Sequence, residues 1–150
     1  MTTAALIVAA GRGSRAGGPV PKQYAMLGGS PVFTHALRTF SALPEIDLVQ
    51  VVVHPDDTAL YGGATANGPA KLLPPVHGGA TRQLSVLAGL EALAVMGVAK
   101  VLIHDAARPF VSPATIRAVV AALEAHPAAL AAVPLADTLK KAGNGGIVAD

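Results

Sequence analysis

A glycine-rich loop near the N-terminus carries three cations, Arg12, Arg15 and Lys22, directly after a short apolar run. Gly11 and Gly13 can adopt backbone conformations closed to other residues, which lets peptide N–H groups approach phosphate oxygens. The cations would neutralise the charge of such a phosphate. The combination predicts a polyphosphate-binding loop of the kind that phosphoryl transfer requires. A flexible surface loop is the alternative interpretation.

Two other nucleotide-binding motifs overlap this loop, and neither fits. A G-x-G-x-x-A pattern begins at Gly11, but the dinucleotide fingerprint needs an immediate helix and an acid about 20 positions later. Pro19 and Pro21 would break that helix, and the first acidic residue is Glu45. The Walker pattern fails because Gln23, not serine or threonine, follows the lysine.

The segment H-D-A-A-R-P, residues 104–109, follows a second apolar run. Ligands of open α/β sheets bind at the carboxyl ends of the strands, where this segment would lie. Asp105 is therefore placed to hold a ribose hydroxyl or Mg²⁺, and Arg108 could pair with Asp105 or with a phosphate. A purely structural ion pair or helix cap is an equal alternative, and His104 is more typical of a packed histidine than of a base.

A glycine pair, Gly78 and Gly79, leads into the start of a predicted helix. Free backbone N–H groups at such a start suit a polar ligand. An ordinary capped turn is the favoured alternative, with Arg82 and Ser85 as plain surface residues. Further on, Asp137 and Thr138 follow a predicted strand end, where a solvated arm is the simplest interpretation.

Short apolar runs alternate with amphipathic stretches, so we predict repeated βα units. The fold class is α/β, a Rossmann-like, mostly parallel sheet with helices on both faces and a truncated C-terminal β-arm. Strands are predicted over residues 5–10, 48–53, 72–76, 101–104 and 130–134. Helices are predicted from about residue 30, after a cap at Asp56, over 81–96 with its leucines 84, 87, 90 and 93 on one face and Gly97 ending it, and over 113–125 after a Ser112 cap; 61–69 is predicted to be a surface loop.

Composition limits the function classes. The chain has 150 residues, of which 52% are hydrophobic and 3% aromatic, enough for one aliphatic core and one domain over 1–150. It contains no cysteine, which fits a reducing compartment, and we expect it in the cytoplasm. A net charge of +2 and the lack of long apolar runs give no reason to expect a nucleic-acid or membrane partner.

Four blocks in order, A-A-G-x-G-S-R with P-K-Q-Y, G-G-x-x-R-x-x-S-V, H-D-A-A-R-P and D-T-x-K, resemble the 2-C-methyl-D-erythritol 4-phosphate cytidylyltransferase family. The resemblance spans nearly the whole chain. It implies that CTP and the sugar-alcohol phosphate give a CDP-alcohol and pyrophosphate in non-mevalonate isoprenoid biosynthesis. It also implies that Mg²⁺ bridges the phosphates and that the attacking group is the phosphate of the second substrate.

The resemblance assigns roles position by position. Arg15 and Lys22 look like the catalytic cations, and Asp105, Arg108 and Thr138 like the substrate-binding residues, with Asp105 also a metal-side acid. The nucleotide-binding residues would be Ala9, Ala10, Gly11, Gly13, Gly79, Ala80, Ser85, Asp105 and Ala106. Ala80 departs from the acidic residue that the family often has there.

The last residues, 136–150, are predicted to form a hairpin that begins a dimerisation arm, with a turn at 143–146. In the family this arm crosses to a second subunit, so the resemblance implies a homodimer for the full-length protein. We expect the chain to be C-terminally incomplete, or part of a longer and fused enzyme, and to turn over weakly or not at all by itself. A ribitol phosphate cytidylyltransferase and a non-catalytic nucleotide-binding module remain alternatives.

Overall fold

A four-stranded parallel sheet forms the centre of the computed structural model, which describes residues 1–12, 20–138, 140–142 and 148–149. Across the sheet the order is β5 (Val76–His77), β4 (Leu48–Val53), β1 (Thr3–Ala9) and β6 (Lys100–Asp105). β1 is central and pairs with β4 on one side and with β6 on the other. The parallel α/β class predicted from the sequence is confirmed.

Helices cover both faces of this sheet. α1 (Val32–Ala42) and α4 (Pro113–Ala122) lie on the face that carries Ala5 and Ile7. α2 (Thr58–Thr65) contributes the buried ring of Tyr61 to the same core. α3 (Arg82–Ala94) packs on the opposite face, against Ala4 and Leu6. Since both faces are covered, β1 and β4 consist of almost continuous apolar side chains, as parallel strands in this position require.

The predicted start of α4 is confirmed by its cap, whereas α3 ends at Ala94, two residues before its predicted end. The Ser112 Oγ accepts a hydrogen bond from the Thr115 backbone N–H at 3.1 Å, with Pro113 at the first helical position. Gly97 has a φ of +67° just after α3, a conformation that glycine adopts without strain. α4 ends at Ala122, three residues before the expected end.

Near α1 and α2 the predicted boundaries need correction. Residues 30 and 31 form strand β3 (Ser30–Pro31), paired with β2 (Met26–Leu27), so α1 begins at Val32. Asp56 is not a helix cap, because it lies inside the 3₁₀ turn Pro55–Asp57 and donates its backbone N–H to the His54 ring. Half of the expected loop over 61–69 is helical, because the Tyr61 ring is buried and anchors α2.

The predicted leucine face of α3 is wrong in the N-terminal half of the helix. Leu84 and Leu87 are each 49% exposed, whereas Ser85, Gly89 and Leu93 are buried. A Cβ atom at Gly89 would lie 2.4 Å from the Leu6 side chain, so the helix approaches the sheet through its glycine. This close approach rotates two of the leucines toward solvent.

The expected strand over residues 130–134 is absent, and those residues are exposed. The segment is rich in alanine, has Val133 as its β-branched residue and contains Pro134, a composition with little strand preference. The strand expected over 72–76 is reduced to β5 and one bridge between Leu72 and Val49. The sheet therefore has four strands within the described residues, not five.

The C-terminal hairpin is present as β7 (Lys141–Ala142) paired antiparallel with β8 (Val148–Ala149). Its predicted turn at 143–146 lies outside the described residues. Within the described ranges, none of the helices combines the length and the apolar character that crossing a bilayer requires.

Candidate active site

The order of the strands creates a cleft beside β1. After β1 the chain moves outward to β4 and β5, and α3 then carries it back across the sheet to β6. The crossover that leaves β1 thus runs to one side of β1, and the crossover that enters β6 arrives on its other side. The carboxyl edge between β1 and β6 is therefore a switch point of the strand order, where ligands of open α/β sheets bind. A cleft of about 540 Å³ lies there, lined by residues 8–12, 22–23, 54, 79–82, 85 and 105–108.

Gln23 fixes the start of the glycine loop. Its side-chain Nε2 donates to the carbonyl oxygens of Ala9 at 2.7 Å and Gly11 at 2.8 Å. The Gln23 side chain and Ala9 are both buried, so the bond to the Ala9 carbonyl oxygen replaces a bond to water. No role was predicted for Gln23 beyond its place in the P-K-Q-Y block, because a contact across 12 to 14 residues leaves no local spacing signal.

The described cations of the loop, Arg12 and Lys22, differ in their contacts. Lys22 is exposed and lines the cleft, in the 3₁₀ turn Lys22–Tyr24. Arg12 also lines the cleft, but its guanidinium is paired with Asp57 at 3.1 Å and with Asp56 at 3.6 Å. Arg12 is therefore held by carboxylates, which differs from the free phosphate cation that its place in the loop predicts. The predicted site residues Gly13 and Arg15 lie outside the described residues.

The glycine turn before α3 closes against β1. A Cβ at Gly78 would lie 2.5 Å from the Ala10 Cβ and 2.6 Å from the Ser85 Oγ, so a larger residue would displace the turn. Ser85 is buried, and its Oγ is 2.9 Å from the Thr81 carbonyl oxygen, to which it donates. Ser85 is thus part of the packed wall of the cleft and not the surface residue of the alternative interpretation.

Asp105 lies between two arginines at the end of β6. Arg82 donates to its Oδ1 from Nε at 3.1 Å and from Nη2 at 2.8 Å. The Nε of Arg108 lies 3.1 Å from Oδ2. The Asp105 side chain is one-third exposed toward the cleft. The ion pair of the alternative interpretation of H-D-A-A-R-P is therefore present, and it lies in the cleft.

His104 is a packed residue. Its ring contacts that of Phe40, with centroids 5.2 Å apart, and its Nε2 is 2.9 Å from the Arg108 carbonyl oxygen. It supports the backbone of the H-D-A-A-R-P segment. The rings of Tyr24 and Tyr61 pack against Phe33 in the core, and burial raises the pKa of each hydroxyl. Both therefore stay neutral at physiological pH.

The described residues offer little to hold a metal ion without a ligand. They contain no group of three His, Asp or Glu side chains that could bind one. At the cleft Asp105 supplies one carboxylate, and each of its oxygens already accepts from an arginine. Mg²⁺ is commonly held by one or two carboxylates together with substrate phosphates. The cleft thus fits a divalent ion carried mainly by a nucleotide's phosphates.

Most of the predicted site residues that the structure describes come together. The residues that line this one cleft are Ala9, Ala10, Gly11, Lys22, Gly79, Ala80, Ser85, Asp105, Ala106 and Arg108. Thr138 is exposed and is not part of the cleft wall. Gln23 and Arg82 also line the cleft, although neither was among the predicted site residues, and so does Arg12, which was predicted only as a cation of the glycine loop.

A parallel sheet with a polar, glycine-walled cleft at its switch point defines an α/β protein of the nucleotide-binding type. The family model described as 2-C-methyl-D-erythritol 4-phosphate cytidylyltransferase matches residues 3–150. The chain therefore belongs to the 2-C-methyl-D-erythritol 4-phosphate cytidylyltransferase family.

Relatives and solved structures agree with this assignment. The bifunctional enzyme IspD/IspF of Paramagnetospirillum magneticum is 55% identical over 99% of this chain and 38% of its own length. The 2-C-methyl-D-erythritol 4-phosphate cytidylyltransferase of Cereibacter sphaeroides strain KD131 is 49% identical over 99% of this chain and 65% of its own length.

A crystal structure of 4-diphosphocytidyl-2C-methyl-D-erythritol synthase from Anaerococcus prevotii superposes with a TM-score of 0.81. It is 31% identical, and the match covers 98% of this chain and 61% of that one. The chain spans between about one-third and two-thirds of the length of the relatives that it matches.

Proposed function

We propose that this chain is the nucleotide-binding part of an enzyme that joins CTP and 2-C-methyl-D-erythritol 4-phosphate. The products are 4-diphosphocytidyl-2-C-methyl-D-erythritol and pyrophosphate, a step of non-mevalonate isoprenoid biosynthesis. The observation that carries the proposal is the single cleft that unites Lys22, the glycine turn and Asp105 at the switch point of the sheet. Family membership supports the choice of substrates.

The reaction needs no protein nucleophile. A phosphate oxygen of the alcohol phosphate attacks the α-phosphorus of CTP, and the bond from that phosphorus to the bridging oxygen of the β-phosphate breaks. Pyrophosphate leaves with the electron pair. The protein must align the two phosphates and stabilise the added negative charge. Lys22 supplies an exposed ammonium group at the cleft, and Arg15 is the second cation of the proposal.

A divalent cation, Mg²⁺ in this proposal, would neutralise the triphosphate and help pyrophosphate to leave. Asp105 is the residue of the described cleft that could contribute to it, mainly through the nucleotide phosphates. The peptide N–H groups after β1, including those of Gly11 and Gly13, would approach the same phosphates.

The tight packing of the glycine turn supports a pyrimidine nucleotide. Gly78, Ala10 and Ser85 are in such close contact that the cleft wall has no room to retreat. We place the cytosine between the Ala9–Ala10 end of β1 and the Gly79, Ala80 and Ser85 side, with Ala106 below the ribose. A purine would need a larger opening at this point.

The alcohol phosphate is assigned to Arg108 and Thr138. Arg108 is 76% exposed at the cleft, so its remaining donors can reach a ligand. The hairpin of β7 and β8 supports a homodimer in which the arm of one subunit reaches the other, as the sequence resemblance implies. We treat residues 1–150 as one nucleotidyltransferase domain that works in the cytoplasm, where CTP is available.

The test is pyrophosphate release from CTP and 2-C-methyl-D-erythritol 4-phosphate with Mg²⁺ present, measured on the full-length enzyme that contains this chain. Lys22→Ala should lower kcat by at least about 100-fold, because it removes a charge that stabilises the transition state. Arg38→Ala is the control, because Arg38 is a cation that bonds Ser30 in the β3–α1 region outside the cleft. Equal turnover in the wild type and the Lys22 variant would refute the assigned role.

Two alternatives are separated by the same assay. A ribitol 5-phosphate cytidylyltransferase would release pyrophosphate faster with that alcohol phosphate than with methylerythritol phosphate. A non-catalytic nucleotide-binding module would bind CTP in a calorimetric titration but release no pyrophosphate with either.

A further inference from the structure

The Arg82 side chain reaches across the cleft and makes two hydrogen bonds with one carboxylate oxygen. It is the first residue of α3, directly after the Thr81 cap, and it reaches Asp105 at the end of β6, 23 residues later. Two of its N–H groups converge on Asp105 Oδ1 at 3.1 and 2.8 Å. Arg108 holds the other oxygen, Oδ2, at 3.1 Å. The carboxylate is therefore fixed from two sides by separate elements.

The hydrogen bonds of Asp105 leave one acceptor position of its carboxylate open. A carboxylate has about four acceptor positions, two on each oxygen. Among the described residues, Arg82 occupies both positions of Oδ1 and Arg108 one of Oδ2. One acceptor position on Oδ2 is then open, on a side chain that lines the cleft and is one-third exposed.

The charge of the group restricts what can fill that position. Arg82, Arg108 and Asp105 together carry a net charge of +1, which disfavours direct coordination of a divalent cation by the carboxylate, so a cation there would be held mainly by the nucleotide phosphates. A carboxylate oxygen accepts and cannot donate, so it also repels a phosphate oxygen. A neutral donor fits both conditions. On a cytidine nucleotide the neutral donors are the ribose hydroxyl groups and the amino group of the base.

We propose that Arg82 is a positioning residue that holds Asp105 as the acceptor for a ribose hydroxyl of the nucleotide. This inference rests on the proposed function, since it takes the nucleotide to be CTP. Arg82 acts through Asp105: it fixes the plane of the carboxylate and fills one oxygen, so that the other points its free lone pair into the cleft. Substrate contact belongs to Asp105.

The test compares the affinities of CTP, 2′-deoxy-CTP and 3′-deoxy-CTP by calorimetric titration, in the wild type, Arg82→Ala, Arg82→Lys and Asp105→Asn. Wild type should prefer CTP over one of the deoxy nucleotides by about tenfold, the worth of a hydrogen bond to a charged acceptor. Arg82→Ala should reduce this preference to about that of Asp105→Asn. Arg82→Lys should retain only part of it, because an ammonium group lacks the planar pair of donors.

If Arg82 had only a structural role, Arg82→Ala would weaken the binding of all three nucleotides alike and leave the ratios of their affinities unchanged. That result would overturn the proposal. Arg117→Ala is the matched control, because Arg117 makes a comparable arginine–carboxylate pair with Glu45 at 2.7 Å, away from the cleft. The double variant Arg82→Ala with Asp105→Asn should show no further loss of preference if both residues act as one unit.

Other outcomes are equally decisive. A wild type with no preference among the three nucleotides would overturn the inference while leaving the proposed function intact. A preference for CTP over UTP that falls in Arg82→Ala, with the deoxy ratios unchanged, would place the base at Asp105 and also overturn it. No binding of CTP by the wild type would instead refute the proposed function. Thermal melting of each variant shows whether it is folded. If Arg82→Ala does not fold, the comparison is made with Arg82→Lys, which keeps the charge.

Discussion

At the scale of single residues, Gln23 ties together the two carbonyl groups that flank Ala10. Gln23→Met keeps the length of the side chain but leaves both carbonyls without their donor, so we expect a loss of about 1–3 kcal/mol in the free energy of unfolding. CTP affinity should also fall, because the start of the glycine loop is no longer fixed. Denaturant titration and calorimetry measure the two effects.

Gln50→Met is the matched control for this prediction. Gln50 is also buried and donates to the Pro74 carbonyl at 2.7 Å, but it lies in β4 and not in the wall of the cleft. Gln50→Met should lose a similar free energy of unfolding and keep the CTP affinity of the wild type. Equal losses of affinity in the two variants would contradict a specific role for Gln23.

Arg12 has a different task from the one its place in the loop predicts. Its partner Asp57 is buried, with a side chain only 4% exposed. Arg12→Ala would leave that carboxylate without its cation. We expect the free energy of unfolding to fall by at most about 3 kcal/mol, because Arg12 is half-exposed and water screens the pair. Arg12→Ala combined with Asp57→Asn should recover part of the loss. If Arg12→Ala melts at the wild-type temperature, the pair does not stabilise the fold.

At the scale of secondary-structure elements, α3 lies closest to the sheet at Gly89. Alanine usually stabilises a helix interior by about 1 kcal/mol relative to glycine. In Gly89→Ala the added methyl would overlap the Leu6 and Val52 side chains at 2.4 and 2.8 Å, so the cost of overpacking, about 1–3 kcal/mol, should exceed that gain. The variant should unfold at lower denaturant concentration than the wild type.

Gly63→Ala is the control for helix propensity. Gly63 lies inside α2, and nothing is within 4 Å of an added Cβ. This variant should be stabilised by about 0.5–1 kcal/mol. Destabilisation of both variants to the same degree would show that close packing of α3 is not the cause.

α4 is tied to the turn after α1 by Arg117 and Glu45. The hydrogen bond from Arg117 lowers the pKa of the Glu45 carboxyl below its usual value. A lowered pKa in the folded state adds stability that is present above the unfolded-state pKa, about 4.3, and is lost as the pH falls through the folded-state pKa. The melting temperature of the wild type should therefore exceed that of Glu45→Gln at pH 7, and the difference should vanish in acid.

Glu91→Gln provides the comparison, because Glu91 is an exposed carboxylate on α3. Its melting temperature should follow that of the wild type over the same pH range. A difference between the wild type and Glu45→Gln that does not shrink as the pH falls would mean that the charge of Glu45 is not what stabilises α4.

The success of the sequence prediction differed between elements for physical reasons. β1 and β4 were predicted because a parallel strand covered on both faces must be apolar at nearly every position. The segment 130–134 has a similar apolar content, but alanine and proline give it little preference for a strand, and it pairs with none of the described strands. The buried face of α3 was misplaced because Gly89, not a leucine, meets the sheet.

At the scale of the whole molecule, the sequence predicted which residues line the cleft better than how their side chains pair. The glycine turns and Asp105 were predicted because strand ends and turns leave local patterns. The pairs of Arg12 with Asp57 and of Arg82 with Asp105 span 45 and 23 residues. Such contacts depend on the order of strands in the sheet, which no spacing along the chain records.

Nucleotide binding should stabilise the entire fold, because the wall of the cleft joins β1, α3 and β6. At a CTP concentration of 100 times Kd the gain is about 2.7 kcal/mol, which should appear as a rise in melting temperature measured with CTP and Mg²⁺. GTP at equal concentration is the comparison ligand. A similar rise with both would indicate general phosphate binding without recognition of the base.

The return of α3 across the sheet has a consequence for synthesis on the ribosome. One wall of the cleft is made early, from residues 8–12, and the opposite wall late, from residues 105–108. A nascent chain that has emerged only as far as β5 has most of the sheet but cannot yet capture the nucleotide. Affinity should arise abruptly once Arg108 is free to fold beside β1, so CTP would protect finished chains from proteolysis and leave the unfinished ones unprotected.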